Sequence, residues 1–110
     1  MTALGTLIRT AMTRYPNLQM MFVSNRIYAG YVRAANQLYP EPYSYEHGWA
    51  IKLLIDAQIT QCPTSACAGP VDSRAGDLSY ASGVAPWLAW GPYLWADGTN
   101  ERSDGLTYNC

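Results

Sequence analysis

Tyrosine, tryptophan and charged side chains occur together at two places in the sequence where a ligand could be held. The first is "SNRIYAGY" at positions 24–31, and the second is "WGPYLWADG" at positions 90–98. Flat rings with a polar edge suit half-wet pockets, and a guanidinium can clamp a carboxylate or phosphate. We therefore predict a substrate-binding surface that comprises Ser24, Arg26, Tyr28, Tyr31, Glu46, Trp90, Tyr93, Trp95 and Asp97.

The charged members of this set have competing interpretations. Arg26 either clamps an anionic ligand or forms a structural ion pair with Glu46 or Asp97. The two carboxylates are either an acid–base pair for glycoside chemistry or ordinary solvated side chains. His47, the only histidine, is either a catalytic base or a polar residue in the first turn of a helix, where the dipole disfavours its protonated form.

The motifs of common catalytic and metal sites are missing from the sequence. There is no Gly-x-Ser-x-Gly nucleophile elbow, and one histidine with a C-x4-C spacing is a weak zinc signal. We predict no catalytic residue, no metal and no cofactor within these 110 residues. Cys62 and Cys67 either form a short-range disulfide, which would indicate an oxidising compartment, or are two unrelated thiols.

Composition excludes several classes of function. The net charge is −1 and the seven basic residues are scattered, whereas nucleic-acid binding needs a clustered basic face. No apolar run approaches the roughly 18 residues of a membrane span. Residues 1–12 lack the charged start and long apolar core of a signal peptide. A chain of 110 residues that is 49% hydrophobic predicts one small globular domain.

The pattern of apolar residues predicts alternating helices and strands. Residues 3–15 show helical periodicity, and their apolar stripe consists of Leu4, Leu7, Ile8, Ala11, Met12 and Tyr15. Residues 18–24 and 86–90 are short apolar runs, which predict strands buried on both faces. Between them, an irregular loop at 36–48 precedes a helix that continues to residue 60, with Ser44 as its N-cap. Lys52 and Asp56 are expected on the exposed side of this helix.

Residues 61–85 show no periodicity and are expected to be an irregular loop. Helix, strand, helix and strand in this order predict an α/β fold with a mostly parallel sheet. Ligands of such sheets bind outside the carboxyl ends of the strands, which is where both aromatic stretches begin. In "PWLAWGPYLWADG" we therefore expect the first half to be core and the second half to line a pocket.

Three long strings, "RYPNLQMMFVSNRIYAGY", "PEPYSYEHGWAIKLLIDAQI" and "APWLAWGPYLWADGTNERSDGLTY", resemble the middle of a bacterial family with the SGNH-hydrolase-like, or GDSL-type, fold. The resemblance extends from Tyr15 to Tyr108 apart from residues 61–80. It implies a three-layer α/β/α sandwich, flavodoxin-like in its mostly parallel sheet, and often a secreted protein. Residues 1–110 would form a single, incomplete domain of this kind.

The family's catalytic blocks are a Gly-Asp-Ser near the N-terminus and an Asp-x-x-His near the C-terminus. The stretch from Gly76 to Ser79, "GDLS", only permutes the first block, and Ser44 stands where an aspartate would precede His47. The resemblance thus implies an interior fragment of an esterase or acyl hydrolase, which supplies the pocket wall and not the catalytic residues. The alternatives are a non-catalytic carbohydrate- or peptide-binding module and a truncated gene product without independent function.

These hypotheses imply partners and a compartment. The expected ligand is a carbohydrate or acyl ester, with no nucleic acid and no membrane as partner. The parent protein would be secreted or periplasmic. An open sheet edge would allow self-association, and the partner of Cys110 stays open.

Overall fold

The computed structural model describes residues 1–31 and 41–109. In these ranges the elements are α1 (Thr2–Arg14), β1 (Met20–Val23), α2 (Tyr43–Gln61) and β2 (Trp87–Trp90). The first part of the predicted 36–48 loop, up to residue 40, and Cys110 lie outside the described residues. The order of the elements and the predicted α/β class are confirmed: the fold is a small mixture of helices with a two-stranded parallel sheet.

The two strands pair in parallel, with Met20 opposite Trp87 and Val23 opposite Trp90. Parallel strands need a long crossover, and here the crossover contains α2. On one face of the sheet, Leu88 belongs to a core cluster that includes Ile8 of α1 and Ile51 of α2. Both helices therefore cover the same face.

The opposite face of the sheet is exposed in the described part of the chain, so the prediction of strands buried on both faces is wrong. Phe22 is 67% exposed and Trp87 is 48% exposed. Side chains alternate between the two faces of a strand, so a run of apolar residues indicates only that both faces of the strand are apolar. It does not report that both are covered.

Helix α1 matches the predicted element, but its buried side is rotated from the predicted stripe. Ile8 and Gly5 are buried, whereas Leu7 and Tyr15 are exposed. The reason is a close approach to the chain near residue 75: a Cβ at Gly5 would overlap the carbonyl oxygen of Ala75. The absence of a side chain at Gly5 therefore decides which side of α1 faces inward.

Helix α2 begins before the predicted N-cap. Its N-cap residue is Pro42, and Ser44 is fully buried within the helix, so the prediction of Ser44 as the cap is wrong. A carboxylate oxygen of Glu41 accepts a hydrogen bond from the Tyr45 N–H at 3.3 Å and takes over the capping role. The predicted exposed pair is confirmed, with Lys52 Nζ 2.5 Å from Asp56 Oδ2.

Residues 61–85, hereafter loop 61–85, contain neither helix nor strand from Cys62 onward, whereas Gln61 is still the last residue of α2. Buried amides of α2 hold the loop. Gln58 Nε2 donates to the carbonyls of Leu78 and Pro86, both at 2.9 Å, and Gln58 Oε1 accepts the Leu88 N–H at 2.7 Å. Buried backbone groups need such partners, and one side chain satisfies three of them.

A second anchor of loop 61–85 is Gln61, which donates to Asp77 Oδ1 at 2.6 Å and accepts the Leu78 N–H at 2.9 Å. The hydrogen bond from Gln61 lowers the pKa of Asp77. Cys62 and Cys67 form a disulfide at the start of the loop, the first of the two predicted alternatives. In the described residues, no helix has the length and apolarity to cross a membrane.

Candidate functional site

Aromatic side chains gather at the carboxyl ends of β1 and β2, beside the first two turns of α2. The chain leaves β2 through Gly91, whose N–H donates to Val23 O at 2.9 Å. A Cβ at Gly91 would overlap Ser24 Oγ, so glycine permits this exit. Ser24 consequently packs against the backbone that leaves β2, and it does not line the grooves described below.

Residues 91–98, hereafter the aromatic segment, are held through their backbone. Asn25 Oδ1 accepts the Leu94 N–H at 2.7 Å. Arg102 donates to the carbonyls of Tyr93 and Trp95 at 2.7 and 2.9 Å. Because the tethers come from elsewhere in the chain, the rings of the segment are left to line the surface.

A carboxylate fixes the tether that Arg102 provides. Asp104 pairs with the guanidinium of Arg102, and this hydrogen bond lowers the pKa of Asp104 to about 2. The same guanidinium lies 5.3 Å from the ring centroid of Tyr93, within cation–π distance. Burial raises the pKa of the Tyr93 hydroxyl above its ordinary value.

One groove lies between α2 and the end of β2, with a volume of about 180 Å³. Its lining residues are Tyr45, Gly48, Trp49, Lys52, Trp90 and Tyr93. The rings of Trp90 and Tyr93 meet edge to face, with centroids 6.3 Å apart. We name this the Trp90 groove; its charged side chain is Lys52, whose ammonium pairs with Asp56.

A second groove of about 300 Å³ lies on the other side of Tyr45. Its lining residues are Tyr28, Glu41, Pro42, Tyr45, Trp95 and Asp97. The ring of Trp95 meets Tyr45 at 55° with centroids 4.8 Å apart, and it meets Tyr28 at 65° and 6.3 Å. We name this the Trp95 groove. Tyr45 lines both grooves, so they form one continuous aromatic surface.

Glu41 is a site residue that the sequence prediction missed. Its Oε1 accepts the indole N–H of Trp95 and the Ala29 N–H, both at 2.9 Å. Glu41 therefore joins the start of α2 to the chain after β1 and to the aromatic segment. Its position just before a helix was the one available signal, because a carboxylate there can cap the first turn.

The predicted site residues divide between these places. Tyr28, Trp95 and Asp97 line the Trp95 groove, and Trp90 and Tyr93 line the Trp90 groove. Tyr31 supports the surface from the side: its hydroxyl donates to Tyr108 O at 2.8 Å, and its ring meets Tyr28 edge to face. Glu46 is exposed on α2 and is not among the residues that line either groove.

Arg26 lies apart from both grooves, in a third cavity of about 350 Å³ that His47 and Tyr43 also line. The Nδ1 atom of His47 is buried and has no hydrogen-bond partner among the described residues. Burial, and then the charge of Arg26, lowers the pKa of His47. Within residues 1–31 and 41–109, therefore, no acid orients this imidazole, as a catalytic triad requires.

The "GDLS" stretch has a structural role. Asp77 Oδ1 accepts the Ser79 N–H at 2.9 Å, and Ser79 Oγ accepts the Ser82 N–H at 3.2 Å. These are local turn contacts. The described residues also contain no group of three or more His, Cys, Asp or Glu side chains that could hold a metal ion.

Comparison of the chain with protein-family models, curated proteins and solved structures finds no match. The α/β class and the aromatic surface therefore rest on the sequence and the structure alone.

Proposed function

We propose that the aromatic surface binds a carbohydrate, and that this chain supplies the ligand-binding wall of an SGNH-like acyl hydrolase that acts on acylated sugars. The observation on which the proposal depends is the pair of grooves that share Tyr45 at the carboxyl ends of two parallel strands. This is the end of an α/β sheet at which ligands bind.

The chemistry of the surface suits sugars. A pyranose ring has an apolar face of C–H groups and a rim of hydroxyls, so it stacks on a flat ring while its rim forms hydrogen bonds. Tyrosine and tryptophan offer such rings with a polar edge. Lys52 stands beside the rings of one groove, and Glu41 and Asp97 beside those of the other. Two adjacent grooves suit two successive sugar units.

The assignment to an acyl hydrolase rests on the resemblance of the three sequence strings and on the parallel β1–α2–β2 unit. In this proposal the reactive serine and its acid–base partners come from parts of the enzyme outside this chain. The further proposal of a three-layer sandwich has support in the exposed face of the sheet. Phe22 and Trp87 are apolar and accessible there, as expected for residues that a second helical layer would cover.

The disulfide between Cys62 and Cys67 supports the proposal of a secreted or periplasmic protein, because such bonds persist in oxidising compartments. It is compatible with the hydrolase and with the second candidate, a non-catalytic carbohydrate-binding module. The second candidate requires no more than the two grooves that share Tyr45.

The test is a titration of intrinsic tryptophan fluorescence with neutral gluco-oligosaccharides of two to six units. Tyr45→Ala removes the ring that both grooves share, and we expect it to weaken binding about tenfold, the effect of losing about 1.4 kcal/mol. Trp87→Ala is the matched control, because Trp87 lies on the opposite face of the sheet and its loss should leave affinity unchanged. If both variants and the unsubstituted chain bound the oligosaccharide with equal affinity, the grooves would not be the binding site.

A second assay separates the two candidates. The chain is mixed with an acetylated oligosaccharide, and acetate release is compared with buffer alone. The pocket-wall hypothesis predicts binding without turnover for this chain, and turnover by the enzyme of which it forms part. If this chain alone released acetate, and substitution of one of its serines abolished that release, the view that the catalytic groups lie elsewhere would be contradicted.

A further inference from the structure

The Trp95 groove combines a corner of aromatic rings with two carboxylates. Trp95 meets Tyr45 at 55° and Tyr28 at 65°, so the three rings meet at steep angles and line one corner of the groove. Glu41 and Asp97 complete the lining, and the described lining contains no lysine or arginine. Ring faces carry the negative part of the aromatic quadrupole, so rings and carboxylates present the same sign of charge.

From this arrangement we infer that the Trp95 groove binds a positively charged ammonium group of the ligand, such as the free amine of an amino sugar unit. An ammonium group within about 6 Å of a ring centroid is attracted to the ring face, and the carboxylates add a direct charge attraction. A neutral sugar would use only the stacking part of this site. The inference deepens the proposed carbohydrate binding and rests on it.

In the described part of the chain, the cation that contacts the aromatic segment is already engaged. Arg102 donates to the Trp95 carbonyl and pairs with Asp104. The partial positive charge at the start of α2 is opposed by Glu41, which accepts the first-turn N–H of Tyr45. A helix terminus corresponds to roughly half an elementary charge, less than one carboxylate, and Asp97 adds a second. Counted over residues 1–31 and 41–109, the local charge of the groove is therefore negative.

The Trp90 groove provides an internal contrast. It has a similar aromatic lining, but its charged side chain is Lys52, which pairs with Asp56, so its described lining offers an ammonium group no carboxylate. An oligosaccharide with one free amine should therefore bind in one orientation, with the amino sugar at Trp95 and a neutral unit at Trp90. Two grooves on one aromatic surface, of which only the Trp95 groove has carboxylates in its lining, would distinguish the order of the sugar units.

The experiment compares three tetrasaccharides at low ionic strength, at a pH where the amine is protonated: glucosamine, N-acetylglucosamine and glucose oligomers. We expect the glucosamine oligomer to bind about tenfold more tightly than the neutral two. Asp97→Asn should remove most of this preference, because it should weaken the glucosamine oligomer far more than the neutral two. Glu46→Gln removes an exposed carboxylate outside both grooves and should keep the preference.

Two outcomes would overturn the inference: equal affinity for charged and neutral oligomers, or a preference that survives Asp97→Asn combined with Glu41→Gln in a folded protein. Circular dichroism checks the fold of each variant. If no oligosaccharide binds, the proposed function is wrong, and tetramethylammonium then tests the groove alone. Binding of this cation that Trp95→Leu abolishes would support an ammonium site, and no binding would eliminate it.

Discussion

Loop 61–85 and the aromatic segment are both irregular, but they are fixed in opposite ways. Loop 61–85 turns its apolar side chains inward, with Leu78 and Ala85 in the core. The aromatic segment is held by its backbone, through Asn25 and Arg102, and its rings remain at the surface. The comparison teaches that an irregular segment can display side chains for binding when its backbone is anchored by other parts of the chain.

The anchors themselves differ in their surroundings. Loop 61–85 is held by Gln58 and Gln61, whose buried side-chain amides do not themselves titrate. Arg102, which holds the aromatic segment, is a partly exposed cation paired with Asp104. Hydrogen bonds within the core are more costly to break than those near water. We therefore expect changes at the loop to affect folding and changes at the segment to affect the surface.

The largest expected effect comes from Gln58→Leu. The substitution keeps the volume but leaves three buried backbone groups without partners, those of Leu78, Pro86 and Leu88. Each such group costs about 1–3 kcal/mol, so we expect the free energy of unfolding to fall by about 4 kcal/mol in urea denaturation. Gln19→Leu, at an exposed glutamine, is the control and should change little. A small effect at Gln58 would show that loop 61–85 is no better anchored than the aromatic segment.

A pair of glycines tests how closely each irregular region approaches a helix. Gly5→Ala would drive a methyl group into the Ala75 carbonyl of loop 61–85, and we expect it to destabilise the fold by about 3 kcal/mol. At Gly48 of α2 the added Cβ would lie 3.6 Å from Tyr93 of the aromatic segment, an ordinary contact. Gly48→Ala should therefore stabilise the helix by up to about 1 kcal/mol. Thermal unfolding measures both, and stabilisation by Gly5→Ala would contradict the tight contact.

Removal of the disulfide should have an intermediate effect. A crosslink that closes a loop as short as Cys62–Cys67 lowers the entropy of the unfolded chain, which raises the free energy of unfolding by about 2 kcal/mol. We expect the double variant Cys62→Ser, Cys67→Ser to lose this amount in urea denaturation, with oligosaccharide affinity unchanged. An unchanged unfolding midpoint would show that the bond does not stabilise loop 61–85. A loss of affinity would show that the loop and the aromatic surface are coupled.

Local sequence patterns predicted the elements, because the periodicity of residues 3–15 and the apolar runs at 18–24 and 86–90 are properties of short segments. Which face of the sheet is covered depends on the elements that pack against it, and a run of apolar residues does not specify those elements. Phe22 is thus exposed although its neighbours predict a buried strand.

The site was predictable in part for the same reason. Tyr28, Trp95 and Asp97 could be chosen by residue type and by their place after a strand, and the structure brings them to one groove. Glu41 could not, because its role depends on contacts 12 and 54 residues away along the chain, with Ala29 and Trp95. Contacts at such distances leave no periodic pattern in the sequence.

The smallest expected effect is on pH dependence, and it compares two matched ion pairs. Asp72 pairs with Arg74 in loop 61–85, Asp104 pairs with Arg102 beside the aromatic segment, and both pKa values are lowered to about 2. Each pair therefore stabilises the fold above the ordinary aspartate pKa of about 3.8, and this contribution is lost as the pH falls towards 2. Only Arg102 also holds the carbonyls of Tyr93 and Trp95.

Acidification from pH 4 to 2 should consequently release the aromatic segment and change tryptophan fluorescence before the chain unfolds. In Asp104→Asn the signal should lose this step, because the pairing is already weakened at pH 4. Asp72→Asn should keep the step, since among the described residues Asp72 accepts its hydrogen bonds from Arg74 and from no residue of the aromatic segment. If the fluorescence step is lost in both variants, or in neither, then protonation of Asp104 is not what releases the aromatic segment, and the two ion pairs do not differ in this respect.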